Sequence, residues 1–127
     1  MEEFVEKITV EVDLSEEKTT AKGDIVVLPF PFSDLSTTKK RPALIIATLE
    51  GDDLIVVQIT GQVKKDSYVI ELEDLDIAGG KLYGVSYIRP NKIFTADKSI
   101  IHYKVGTLNS LKMNKVEERI IRIIKNN

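Results

Sequence analysis

What most constrains this chain is a succession of short β-branched runs, each closed by a turn signal, with no helical periodicity between them. The runs are DIVVLPF at 24–30, ALIIATL at 43–49 and LIVVQIT at 54–60. Segments this short and this rich in Val, Ile and Thr read as strands. Gly51, Asp52 and Asp53 make a turn between the last two, which predicts a hairpin. Pro29 and Pro31 have no N–H to give, so the first strand must end there or run along an edge. Gly61 marks a break, and residues 68–72 alternate as a further strand. Residues 74–84 read as a loop turning at Gly79 and Gly80. Residues 85–96 are strand-like but interrupted by Pro90, and residues 100–105 form a last short strand or the tail of the previous one.

The clear helical period is at the end of the chain. Met113, Val116, Ile120, Ile123 and Ile124 recur at threes and fours from Leu111 onward. Asn109 or Ser110 can cap this helix, and Arg119, Arg122 and Lys125 suit the negative end of its dipole. The apolar face at Ile120, Ile121, Ile123 and Ile124 either closes the chain's own core or meets a second copy. Short strands, hairpins and one terminal helix, without βαβ alternation, predict a mainly β fold, a small antiparallel β-barrel with a C-terminal helix.

At 127 residues the chain is one domain. Its charge is uneven: residues 1–17 carry seven acids and one base, while the remainder is mildly basic, for a net charge of −2. Residues 1–21 therefore read as an acidic N-terminal extension and linker, and residues 22–127 as the barrel domain. Residues 7–14 alternate as an extra strand, although Val5, Ile8 and Val12 also fit a helical stripe. There are no cysteines, which excludes disulfides, thiolate catalysis and Cys-bearing metal sites. His102 is the only histidine, so mechanisms needing two imidazoles are excluded. Apolar runs fall far short of the ~20 residues that span a bilayer, and the N-terminus has no apolar signal core. The expected location is the cytoplasm, with no membrane partner.

Three stretches can carry chemistry. Lys39, Lys40 and Arg41 stack three positive charges at the start of a strand, and Pro42 holds Arg41 extended. An extended guanidinium there can grip a phosphate through two hydrogen bonds. Gln58 to Gln62 ends a strand in amide and hydroxyl groups. These either meet a phosphate or a base edge, or simply satisfy the local backbone. Glu71, Glu73, Asp74 and Asp76 form an acidic set that could bind a hard cation, but Glu71 and Glu73 alternate with Leu72 on a solvated strand face, and no metal site is expected. Tyr83 and Tyr87 are candidates for stacking on bases or for packing.

Taken in order, KGDIVVLPF at 22–30, KRPALII at 40–46 and ITGQ at 59–62 resemble the MazF/PemK family of toxin endoribonucleases, the toxin halves of type II toxin–antitoxin pairs. The resemblance extends over residues 22–125 and leaves out residues 1–21. It implies an SH3-like, CcdB-like barrel, a homodimer, and metal-free, cofactor-free cleavage of single-stranded RNA. The 2′-hydroxyl attacks the adjacent phosphate, giving a 2′,3′-cyclic phosphate and a 5′-hydroxyl. The resemblance puts the catalytic arginine at Arg41 and the catalytic threonine at Thr60. RNA contacts are expected from Ser33, Asp34, Thr38, Lys39 and Lys40 in the loop before the arginine, and from Gln62 and Lys64 after the threonine. Some relatives carry a glutamate in that loop, where this chain has only Asp34. The partner protein implied is a cognate antitoxin with an acidic tail that orders on binding. Two alternatives stay open: a CcdB-like toxin that inhibits a protein target such as gyrase, and a PemK-like module that binds RNA without cutting it.

Overall fold

In the computed structural model, residues 20–31, 38–62 and 66–126 are described. The strand expected at 7–14 lies outside them. The elements are β1 (Asp24–Pro31), β2 (Thr38–Thr48), β3 (Asp53–Thr60), β4 (Ile70–Leu72), β5 (Ile77–Ala78), β6 (Ser86–Asp97), β7 (Tyr103–Leu108) and α1 (Ser110–Lys125). The strands form one antiparallel sheet, curled into a half-barrel, in the order β4-β6-β3-β2-β1-β7-β5.

Period-two alternation sends side chains to both faces of this sheet, and both faces are covered. Ile25, Leu44, Val57, Ile59 and Ile88 pack on one side beneath Met113 and Val116 of α1. Val26, Leu28, Ala43, Ile45 and Val56 pack on the other, closed by Phe30 against Phe94 edge to face, with ring centroids 4.5 Å apart. Each fully buried Ile or Leu contributes about 1.5–3 kcal/mol of transfer free energy, so the central strands anchor the molecule from both sides.

The hairpin β2–β3 and the terminal helix form as the sequence predicts, with Asn109 as the cap: its Oδ1 accepts the Lys112 N–H at 2.7 Å. On α1, Ile120 packs onto the core, whereas Ile121 and Ile124 are exposed. Three expectations change. First, β2 begins at Thr38, so Thr38, Lys39 and Lys40 lie on a strand rather than in a loop, paired with Pro31, Phe30 and Pro29. Second, Pro90 does not interrupt β6. The register with β3 passes from Val57–Ile93 to Gln58–Arg89, and Pro90, Asn91 and Lys92 bulge out of the ladder. Third, the segment expected as a loop at 74–84 opens with a 3-10 turn (Asp74–Asp76) and β5.

The prolines of β1 have a specific place. His102 donates its N–H to the Val27 carbonyl at 2.8 Å from the β7 side. Backbone groups alternate sides along a strand, so residues 29 and 31 turn theirs the same way as Val27. The pairing with β7 stops at Val27. Pro29 and Pro31 therefore stand where an N–H would face outward from an edge that no strand among the described residues covers, and the strand runs along an edge there, as expected.

One acid binds the helix to the sheet. Asp76 is buried; its Oδ2 accepts the Glu73 N–H at 2.9 Å and lies 3.3 Å from the Lys112 ammonium, and its Oδ1 accepts from Asn109 Nδ2 at 3.2 Å. Burial alone would raise this carboxyl, but the Glu73 N–H, Lys112 and Asn109 outweigh it and hold the pKa below the ordinary value. A lowered native pKa adds stability at neutral pH that is lost as pH falls through it. Asp76→Asn is expected to destabilise the fold by about 1–3 kcal/mol at neutral pH. The gap to wild type should shrink in urea titrations taken below about pH 4, where the unfolded carboxyl also protonates.

Gly106 of β7 faces the 77–80 segment with no room to spare. A Cβ there would stand 2.5 Å from the Ala78 carbonyl oxygen and 2.7 Å from Ile77 Cγ2. Gly106→Ala must separate β5 from β7, so thermal unfolding should show a loss of about 1–3 kcal/mol.

Candidate active site

The site begins where the β2–β3 ladder stops. The last paired residues are Ala43 and Gln58. Arg41 and Ala43 turn their backbone groups to β1, so Pro42 turns its groups to β3, and it has no N–H to give. The ladder loses its next donor at that point. Continuing the Ala43–Gln58 register by two residues sets Arg41 opposite Thr60, on the face that also carries Gln58 and Leu28. Arg41 is half-buried and pairs with Leu28 of β1. Thr60 closes β3, is 8% exposed and pairs with Tyr87 of β6. Its Oγ1 accepts the Gln62 N–H at 3.2 Å, the local backbone bond that strand-end hydroxyls make.

The other sequence candidates distribute as follows. Lys39 and Lys40 are exposed, Lys39 on the face of Arg41 and Lys40 on the reverse. Gln62 is exposed in the turn after Thr60. Ser33, Asp34 and Lys64 lie outside the described residues, as does the side chain of Thr38. Tyr87 is half-buried between Thr60 and Glu71, and Tyr83 is exposed. Tyr103, on the face of Val27, has its phenol pushed up by burial, with a further contribution from Tyr83.

A second arginine belongs to this face and was not among the candidates. Arg89 pairs with Gln58 across β6–β3, and its Nη1 donates to Gln58 Oε1 at 3.4 Å. Its Nη2 lies 3.6 Å from Asp66 Oδ2, and its side chain is 14% exposed. The signal that could have found it is its dipeptide: Arg89-Pro90 repeats Arg41-Pro42. In both cases the proline ends or distorts a ladder beside the cation. The result is a row of polar groups across three strands, Arg89 on β6, Gln58 and Thr60 on β3, and Arg41 on β2. Two fixed cations flanking amide and hydroxyl groups make an anion-binding surface.

A curled antiparallel sheet with a cationic strand-end site and a terminal helix defines a small, mainly β class of protein. Residues 21–124 match the profile of PemK-like, MazF-like toxins of type II toxin–antitoxin systems. The match spans most of the chain, and the chain belongs to this family. Its structure is similar to an endoribonuclease from a mycobacterial species solved with its cognate antitoxin, with a TM-score of 0.66 at 15% identity, covering 84% of this chain and 95% of that one. The Mycobacterium tuberculosis toxin MazF-mt6 superposes with a TM-score of 0.64 at 18% identity, covering 80% and 95%. A MazE–MazF complex from Deinococcus radiodurans gives 0.65 at 16% identity, covering 85% and 97%. At these identities the likeness shows the fold. No curated protein sequence matches the chain. Among the described residues, no helix is long and apolar enough to cross a membrane.

Thr60→Val keeps the shape of the side chain and removes the acceptor for the Gln62 N–H. Its expected cost is about 1 kcal/mol in denaturant unfolding, small enough that a larger loss of activity reports on the hydroxyl itself.

Proposed function

We propose that this chain is the toxin of a type II pair and an endoribonuclease that cuts single-stranded RNA with no metal ion. What supports this reading is the Ala43–Gln58 register, which, continued two residues past its last pair, would bring Arg41 level with Thr60 on one face, where Pro42 withholds its donor. In the reaction the 2′-oxygen of the substrate bonds to phosphorus and the bond from phosphorus to the 5′-oxygen breaks. The 2′-hydroxyl loses its proton and the departing 5′-oxygen gains one. Charge builds on the non-bridging oxygens as the five-coordinate phosphorus forms. The Arg41 guanidinium supplies donors there, and one well-placed donor is worth about 3 kcal/mol. Thr60 is neutral at physiological pH, so its role is to position the phosphate or the 2′-hydroxyl by a hydrogen bond. Lys39 and the exposed Gln62 extend the contact to neighbouring nucleotides. The working unit is a homodimer, and the antitoxin presents an acidic segment that competes for the same cationic face.

The test is mass spectrometry of fragment ends after incubating mixed-sequence RNA with the protein in a chelator. Cyclic phosphate and 5′-hydroxyl ends are expected. Arg41→Ala should lower the cleavage rate about 100-fold or more with the unfolding curve preserved, and Thr60→Ala should lower it as well. Undiminished cutting by Arg41→Ala removes the site from the mechanism. Intact RNA with inhibited gyrase would identify the CcdB-like alternative instead, and intact RNA that binds in a salt-sensitive way would identify the inactive module.

A further inference from the structure

We propose that the Asp66 carboxylate is an internal substitute for an RNA phosphate on Arg89, and that a bound strand crossing β3 takes Arg89 over from Asp66. This rests on reading the site as an RNA-cleaving one. Arg41 and Arg89 lie on the strands that flank β3, on the face of Gln58 and Thr60. Adjacent strands are about 4.8 Å apart and residues along a strand about 3.3 Å. The diagonal from Arg41 past Thr60 to Arg89 is thus roughly 12 Å. A strand held at Arg41 and running along this diagonal brings a neighbouring phosphate to Arg89.

Arg89 is held in place yet weakly engaged. Its contacts, 3.4 Å to Gln58 Oε1 and 3.6 Å to Asp66 Oδ2, are long for a guanidinium, whose strong carboxylate bonds run about 2.7–2.9 Å. Its Nε is buried and makes no hydrogen bond among the described residues. Nη1 and Nη2 each carry a second N–H beyond these long contacts, which leaves donors for a better-fitting oxyanion. Asp66, in turn, does not need Arg89 to keep its place. Its Oδ1 accepts the Tyr68 and Val69 N–H groups at 3.0 and 3.2 Å. Arg119 of α1 fixes the same turn by donating to the Ser67 and Tyr68 carbonyls at 3.2 and 2.9 Å. Only Oδ2 of Asp66 is committed to Arg89, so the carboxylate can yield it while the turn stays intact.

The experiment measures equilibrium binding of the full chain to a single-stranded RNA whose riboses are 2′-O-methylated and therefore cannot be cut. Asp66→Asn keeps the Oδ1 acceptor and is expected to tighten binding about threefold to tenfold. Asp66→Ser, which keeps a short acceptor for the turn, should tighten it too, and thermal unfolding checks both folds. Arg89→Gln should weaken binding and lower the salt slope by about one charge. In the Arg89→Gln background, Asp66→Asn should change nothing. If Asp66→Asn and Asp66→Ser leave binding unchanged or weaker while wild type binds and cuts RNA, this inference falls alone. It also falls if Asp66→Asn tightens binding equally without Arg89, since that is a general charge effect. Wild-type protein that neither binds nor cuts RNA overturns the nuclease reading and this one together.

Discussion

The pairing register between β2 and β3 governs both the packing and the site. Ala43 faces Gln58, Leu44 faces Val57 and Ile45 faces Val56, and each row delivers its side chains to one or the other buried face. A slip of one residue would carry the slipped strand's apolar side chains from one face to the other. The same slip would carry Arg41 and Thr60 to opposite sides of the sheet. The hydrophobic pattern that stabilises the fold therefore also keeps Arg41 and Thr60 on one face, and no separate device is needed to align the two residues. Strain at the site is avoided in the same economical way: Pro42 interrupts pairing by lacking a donor, and among the described residues no non-glycine residue has a positive φ and no peptide bond is cis.

Charge is arranged in a graded fashion around that junction. Arg41 and Arg89 are half-buried on strands, while Lys39 and Lys40 are exposed. Fixed guanidiniums suit the atoms where charge develops, and flexible ammonium groups suit attraction at longer range, where screening limits them to about 8–10 Å. Asp66 and Asp76 illustrate two fates of an acid in the same small protein. Asp76 is enclosed by donors and fastens α1 to the sheet. Asp66 spends one oxygen on its own turn and leaves the other against a cation.

Much of the architecture was legible in the sequence because it follows from local rules. The β2–β3 hairpin is two β-branched runs around Gly51, and α1 is a 3.6-residue period with an asparagine cap. What was not legible needed knowledge of a partner strand. Thr38, Lys39 and Lys40 look like loop because they are polar, but the backbone of β1 is there to pair with them. Pro90 looks like a breaker, but a bulge absorbs it because β3 pairs on both sides of the interruption. The burial of Asp76 depends on Lys112 and Asn109, which arrive from 30 or more residues away in sequence. At the site, the residue types at Arg41 and Thr60 stood out from their motifs and from the family resemblance. Arg89 did not, since its place on that face is a product of the bulge beside it.

The half-open side of β1 has a consequence for assembly. Beyond Val27 the strand offers outward carbonyls at residues 29 and 31 but no outward amide hydrogens, because both positions are proline. An intruding extended peptide would find acceptors without donors and could not zip into register there. Among the described residues, this stretch of β1 is thus a poor template for strand addition. Whatever docks along it must be recognised by its side chains, which gives the molecule a selective boundary where an ordinary edge would be indiscriminate.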